Sequence, residues 1–328
     1  MKILIAGGAG YIGTVLAPAL AERGHEITVI DLMWFGNHLP EKSPIISIKK
    51  DLFDLEPADL KGFDEVIFLG GLSNDPMAEY SPRDNFIYNA ALPAYLAYLA
   101  KNAGARRFIY AGSCSVYGFT EDKIFTEKDP TVSNYPYGIS KLQGEAAALQ
   151  MMDENFSIIA LRQGTLSGYS PRMRLDLAVN TMFKTALQKK EIILNNPAIH
   201  RPIFSIHDMK DAYTKAVECD SAISGIFNVA SQNYTVGEIG EIVHRCVEKH
   251  FNEKITLTKK NVRDFRNYKV STDKAKKILG FNPVHGVEDI VNDLIKNFDR
   301  FKDIDNPEYY NIEVFKKIKS ENLLLKNV

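Results

Sequence analysis

Tyr137 and Lys141 stand four residues apart behind Pro136, and proline suits the first turn of a helix. That spacing puts a phenol and an ammonium on one helix face. An ammonium favours the phenolate, so Tyr137 is expected below its reference pKa of about 10. It would then take a proton from an alcohol while hydride leaves the same carbon. Tyrosine and lysine at this spacing are also common on ordinary helices, so the neighbouring sequence has to decide. Upstream, Arg107–Ala111 reads as a strand and runs into Gly112-Ser113-Cys114-Ser115. Ser113 is placed to hydrogen-bond the reacting oxygen, with Ser115 the alternative hydroxyl and capping of the strand end the alternative role.

Gly7-Gly8-Ala9-Gly10-Tyr11-Ile12-Gly13 follows a short apolar run and opens a helical stretch. Such glycines tighten a turn, admit a pyrophosphate close to the backbone and bring its charge to the helix's positive end. Gly7, Gly10, Tyr11, Ile12 and Gly13 are therefore candidate dinucleotide contacts, the alternative being a tight turn that binds nothing. Asp31 closes the next strand, where a carboxylate accepts from an adenosine ribose and repels a 2′-phosphate. NAD is favoured over NADP. Asp51-Leu52 and Leu69-Gly70-Gly71 follow the third and fourth strands, at the sheet end that meets ligand, though each alone is also ordinary loop chemistry.

The elements that must position these groups read as βαβ units. Strands are expected at Lys2–Ala6, Glu26–Asp31, Ile45–Lys49, Glu65–Leu69, Arg107–Ala111 and Ser157–Leu161, with helices at Tyr11–Arg23, Ile87–Ala103 and Pro136–Asn155. Gly24 and Gly104 stand at helix stops. The fold class is α/β, a Rossmann-type doubly wound parallel sheet with a smaller, irregular α/β substrate-binding lobe. Residues 1–165 form the NAD-binding part and 166–328 mainly the lobe and tail, with a stretch near 203–230 returning to the first part. In the second half, helices are expected at Arg172–Leu187, Met209–Cys219, Val236–Phe251, Asp273–Leu279 and Val287–Phe301, and a strand at Pro202–Ile206. The last 24 residues read as a surface helix or loose tail.

Together these residues resemble the extended short-chain dehydrogenase/reductase group, the nucleotide-sugar epimerase/dehydratase family. The matching pieces are Gly7-xx-Gly10-xx-Gly13, Asp31, Asp51-Leu52, Asn89, Ser113 ahead of Val116-Tyr117-Gly118, Tyr137-xxx-Lys141, and Arg201 with Asp208. The resemblance implies a catalytic set of Ser113, Tyr137 and Lys141, with Tyr137 the general base. Lys141 would also bond the nicotinamide ribose, and Asn89 would support the active-site helix at the cofactor site. It also implies that Arg201 and Asn180 meet a nucleotide diphosphate, and that the Leu92, Leu96 and Leu99 helix lies at a homo-oligomer interface. Core packing is the other reading of that stripe.

Departures narrow the chemistry. Family members that eliminate water carry Asp-Glu after the catalytic hydroxyl, where this chain has Cys114-Ser115; relatives that epimerise a keto-sugar before reducing it carry a cysteine at the position of Ser115. Oxidation of a sugar hydroxyl remains, either kept as product or reversed on the opposite face. The resemblance leans toward an NAD-dependent C4 dehydrogenase of a GDP-heptose type substrate in bacterial capsular polysaccharide assembly. A C4 epimerase with tightly bound NAD is the alternative, and a non-catalytic dinucleotide sensor a third. Thr165 replaces the family's usual asparagine after the sixth strand. Arg172 and Arg174 form a basic cluster that would hold phosphate or sugar hydroxyls, or else mark a solvated helix start.

The 328 residues carry 40 basic and 41 acidic side chains, a balance that argues against nucleic acid or anionic membrane as a partner. No run approaches the roughly 18 apolar residues of a membrane helix. Cys114, Cys219 and Cys246 are too few and scattered for a disulfide framework, which fits a reducing, cytoplasmic setting. The amino terminus reads as a buried strand rather than a signal segment. No metal site is expected: Cys246 and His250 are four apart but too few for a structural zinc.

Overall fold

The computed structural model describes residues 1–118, 123–260 and 267–321. The chain begins with β1 (Lys2–Ala6), α1 (Gly13–Glu22), β2 (Glu26–Asp31), β3 (Ile46–Lys49) and β4 (Glu65–Phe68). Next come α2 (Asp75–Tyr80), α3 (Pro82–Phe86), a π-helical turn at Ile87–Ala91, α4 (Leu92–Asn102), β5 (Arg107–Ser113), β6 (Ile124–Phe125), α5 (Pro136–Leu149) and β7 (Ser157–Gln163). The second half runs β8 (Thr165–Ser167), α6 (Ala178–Lys189), β9 (Glu191–Asn195), β10 (His200–Ser205), α7 (Ile206–Glu218), β11 (Gly225–Val229), β12 (Gln232–Thr235) and α8 (Val236–Phe251). It ends with β13 (Thr256–Lys260), β14 (Lys269–Val270), α9 (Asp273–Leu279), α10 (Val287–Lys296) and α11 (Asn311–Ser320).

Seven strands form one sheet in the order β11-β7-β5-β4-β1-β2-β3, all pairs parallel. The order reverses between β1 and β4, so the loops after these strands part and leave a crevice at their carboxyl ends. β1 and β4 are apolar throughout their middles because helices cover both faces. Leu16 and Leu20 of α1, Tyr213 of α7 and Leu279 of α9 pack on one face; Leu92, Leu96 and Leu99 of α4 pack on the other. The leucine stripe is thus core within this chain. A third cluster, with Phe183, Ile192, Val243 and Leu294, forms the smaller lobe around the three-stranded sheet β12-β10-β8 and the β13-β9 pair.

The chain returns to the large sheet more often than its sequence suggests. α7 and β11 do so within the anticipated 203–230 stretch, whereas β10 pairs in the small sheet. α9 and Phe281 pack back onto it as well. The tail does form a helix, α11, but one anchored in the core: Phe315 is fully buried, against Trp34 and Tyr80, while residues 322–328 of the tail lie outside the described residues. The helix expected from Arg172 begins only at Ala178. The Asn180 side chain bonds both the N–H and C=O of Gly168 and the C=O of Arg174, and Thr181 Oγ1 donates to Leu175 C=O. Those side chains occupy backbone groups that a helix would have paired.

Candidate active site

The glycine turn is built for close approach. A Cβ on Gly7 (φ +78°) would lie 2.5 Å from the Gly70 backbone, and one on Gly13 only 2.1 Å from the Gly8 carbonyl oxygen. Gly7 thus fits two loops together, and Gly13 lets the start of α1 close on the turn at Gly8. A Cβ on Gly10 would meet only the Gly7 oxygen, at 3.6 Å, so its open side faces the space a phosphate needs. The Asp31 carboxylate accepts from Ala9 N–H (3.0 Å) and Met33 N–H (2.6 Å), bracing the turn, and burial raises its pKa.

A cavity of about 620 Å³ fills the crevice. Its wall includes Gly7, Gly10, Tyr11, Ile12 and Asp31 at one end, then Asp51, Leu52, Leu69, Gly70 and Gly71. Ser113, Ser115 and Tyr137 line it further along, with Thr165, Arg172, Arg174 and Arg201 from the lobe side. Four expected contacts lie outside this wall: Gly13, Asn89, Lys141 and Asn180. Asn89 is wholly buried beneath it, donating to Leu72 C=O and Asn85 Oδ1, while Asn85 donates to Pro136 C=O at the start of α5. Gly71 must be glycine here, since its Cβ would strike Asn89 Oδ1 at 2.1 Å. Asn180 is a buried brace of the 168–174 segment rather than a wall residue.

Ser113 ends β5, and its hydroxyl is 2.9 Å from that of Ser115. Tyr137 sits one residue into α5, and a hydrogen bond with Ser113 favours its ionised form. The expected low pKa is not what the fold produces by itself. Burial, then the charge of Asp75, push the Tyr137 phenol well above its usual value, against the pull of Ser113 and Arg174. Lys141 is 5% exposed and donates to the Ala111 carbonyl (3.1 Å); burial lowers its pKa to about 8. Two buried neighbours fix the helix beneath. Arg162 of β7 makes a bidentate pair with Glu145 of α5 (2.6 and 2.9 Å) and also donates to Tyr117 Oη.

Cys114 turns away from the cavity, its thiol donating to Arg162 C=O and its pKa driven up by burial. Positions 114 and 115 therefore offer no ionisable acid or base. Arg174 is held bidentate by Asp176 (2.8 and 3.0 Å), which also accepts from Asn74. Arg201 donates to His200 C=O and lies over the Tyr268 ring. Asp208 pairs with His285 (2.7 Å), and His207 lies 3.3 Å from Asp293. Among the described residues no three His, Cys, Asp or Glu side chains cluster as metal ligands.

Several wall residues were not anticipated. Trp34 and Phe35 follow Asp31, Asp75 opens α2, Tyr135 precedes Pro136, and Asn311 and Ile312 arrive from α11. Trp34 and Phe35 carried a usable signal, two aromatics directly behind the acid at the ligand end of β2. Asn311 carried none.

A model of the NAD dependent epimerase/dehydratase family matches residues 3–230. The chain belongs to that family. It is 27% identical over 312 residues to an uncharacterized UDP-glucose epimerase of Bacillus subtilis (strain 168), covering 88% of this chain and 95% of the relative. It is 24% identical to a UDP-glucose 4-epimerase of Corynebacterium glutamicum, covering 87% and 92%. Among solved structures, MoeE5 in complex with UDP-glucuronic acid and NAD superposes with TM-score 0.81 at 23% identity, over 92% of this chain and 99% of that one. The UDP-glucuronic acid 4-epimerase of Bacillus cereus, also with UDP-glucuronic acid and NAD, gives 0.79 at 21%, over 93% and 100%. These epimerase/dehydratase structures share the fold. No helix among the described residues is long and apolar enough to cross a membrane.

Proposed function

We propose that this family member is a nucleotide-sugar 4-epimerase that keeps NAD bound through its cycle. The observation that carries the reading is a single cavity lined at one end by the Gly10 turn and Asp31 and, further along, by Ser113 and Tyr137. Similarity over most of the chain to UDP-glucose 4-epimerases supports return of the hydride over net oxidation. The cradle fits the cofactor: Gly10 is open where a pyrophosphate would lie, and Asp31 retains acceptor capacity for a ribose. When bound, NAD supplies the acceptor, and later the donor, of hydride. Tyr137 acts as the phenolate, the form that Ser113 and Arg174 favour against burial; it takes the proton from the sugar C4 hydroxyl oxygen and returns it after the ketone has turned over. Ser113 holds that oxygen as its charge changes. Lys141, tied to the β5 backbone, keeps a positive charge behind the phenol. Positions 114 and 115 supply no acid or base for elimination.

Purified protein given UDP-, GDP- and dTDP-sugars, a GDP-heptose included, should return a product of unchanged mass and altered configuration at C4. A product two mass units lighter, with reduced cofactor accumulating, would make it a C4 dehydrogenase instead. Tyr137→Phe should cut turnover by about 10²–10⁴-fold while NAD stays bound; loss of both together would remove Tyr137 from the role of base.

A further inference from the structure

Arg172 is the side chain whose surroundings the reaction does not explain. It is 2% exposed, yet its Nε and Nη2 have no hydrogen-bond partner. Its guanidinium lies 3.7 Å from the centroid of the Phe35 ring, a planar stack that fixes its plane against the cavity wall. Burial and the nearby charge of Arg174 lower its pKa to about 9. Buried N–H groups of a cation are costly to leave unpaired, so the site is built for an anion. Arg174 differs in being already committed to Asp176.

Position decides which anion. The segment just before Arg172 is bolted to the glycine turn: Tyr11 Oη donates to Gly168 C=O (2.6 Å), and Ser170 Oγ donates to Tyr11 C=O (2.8 Å). Ser170 Oγ also pairs with Thr14 Oγ1 of α1 (2.9 Å). The Asp31 carboxylate, which braces that turn through Ala9 N–H, is among the charges that act on Arg172. The Asp31 carboxylate disfavours a 2′-phosphate there. Phe35, the stacking partner, belongs to the loop after β2, the cofactor end of the crevice.

We propose that Arg172 is a cofactor ligand, not a sugar ligand: stacked on Phe35, it clamps the dinucleotide's pyrophosphate from across the glycine turn. The assignment rests on the family reading and deepens it. It makes a segment following the lobe strand β8 part of the cofactor site, so the cofactor is held from both sides and retained between turnovers.

The test uses Arg172→Gln and Arg172→Lys in the full chain, with dissociation constants for NAD, NADP, ADP-ribose, adenosine and UDP-glucose measured by calorimetry, and melting temperatures recorded for each protein. Loss of a charged hydrogen bond should weaken NAD and ADP-ribose by about 10–100-fold in Arg172→Gln. Adenosine and UDP-glucose should be unaffected, Arg172→Lys should recover part of the loss, and NAD should leave the Gln variant on gel filtration. Weakened UDP-glucose with unchanged NAD would overturn the assignment in favour of the sugar nucleotide's own diphosphate. A wild type preferring NADP, with the preference lost in Arg172→Gln, would overturn it in favour of a 2′-phosphate. Equal losses for adenosine and NAD would show a merely structural role. A wild type binding no dinucleotide at all would overturn the NAD reading itself, and this one with it.

Discussion

At the scale of single residues, burial sets the chemistry more than charge pairing does. Tyr137 and Lys141 share a helix face, but the low-dielectric surroundings raise the phenol and lower the amine, because each charged form loses water. The lysine has a measurable consequence. Its native pKa of about 8 lies below its usual 10.5, so the unfolded chain binds the extra proton between those values and stability rises with pH across that window. Relative to Lys141→Met, cofactor-free wild type should gain about 2 kcal/mol of unfolding free energy between pH 7 and 9.5, read by urea titration. A pH-independent difference would mean that Lys141 is not desolvated. The Gly10 turn, by contrast, needs no titration, since its chemistry is the absence of a side chain.

At the scale of elements, α5 is the part that must not move, since it carries Tyr137 and Lys141 on one face. It is tied to the sheet by the buried Glu145–Arg162 pair and to α3 by the Asn85–Pro136 bond. Glu145→Ala leaves the Arg162 guanidinium buried without its counter-ion, and should cost about 3–5 kcal/mol in chemical denaturation. The double variant Glu145→Leu/Arg162→Met, which removes both charges, should recover most of that loss. Failure of the double variant to recover would shift the importance of Arg162 to its bond with Tyr117. Strands and helices of the first half are readable because continuous apolar runs and glycine stops act locally. The false start of α6 at Arg172 has the opposite cause: its competing bonds come from Asn180 and Thr181, later in the chain.

For the whole molecule, the carboxyl-terminal helix is an integral wall of the cofactor end. Phe315 fills a pocket between Trp34 and Tyr80, and Asn311 and Ile312 reach the cavity. Phe315→Ala should lower stability by about 3–5 kcal/mol. Trp34, the sole tryptophan, should report this directly through a red-shifted emission, and its quenching by NAD should weaken. A change within about 0.5 kcal/mol and an unaltered spectrum would return α11 to the status of a surface appendage.

What the amino-acid sequence determined alone is the local grammar: a strand, a glycine turn and a helix; an acid at the end of β2; a serine at the end of β5; and a tyrosine and lysine one helical turn apart. Each is set by neighbours within a few residues, so spacing suffices to read it. Tertiary structure decided which of these face one cavity. It placed Lys141, Asn89 and Asn180 behind the wall instead of in it, and brought Asp75, Trp34, Phe35 and Asn311 to the surface of the cavity. It also turned Arg172 from an expected helix start into a buried cation stacked on Phe35. Those outcomes depend on contacts between segments as much as 238 residues apart, such as Ser73 with Asn311. No periodicity along the chain encodes a contact at that range.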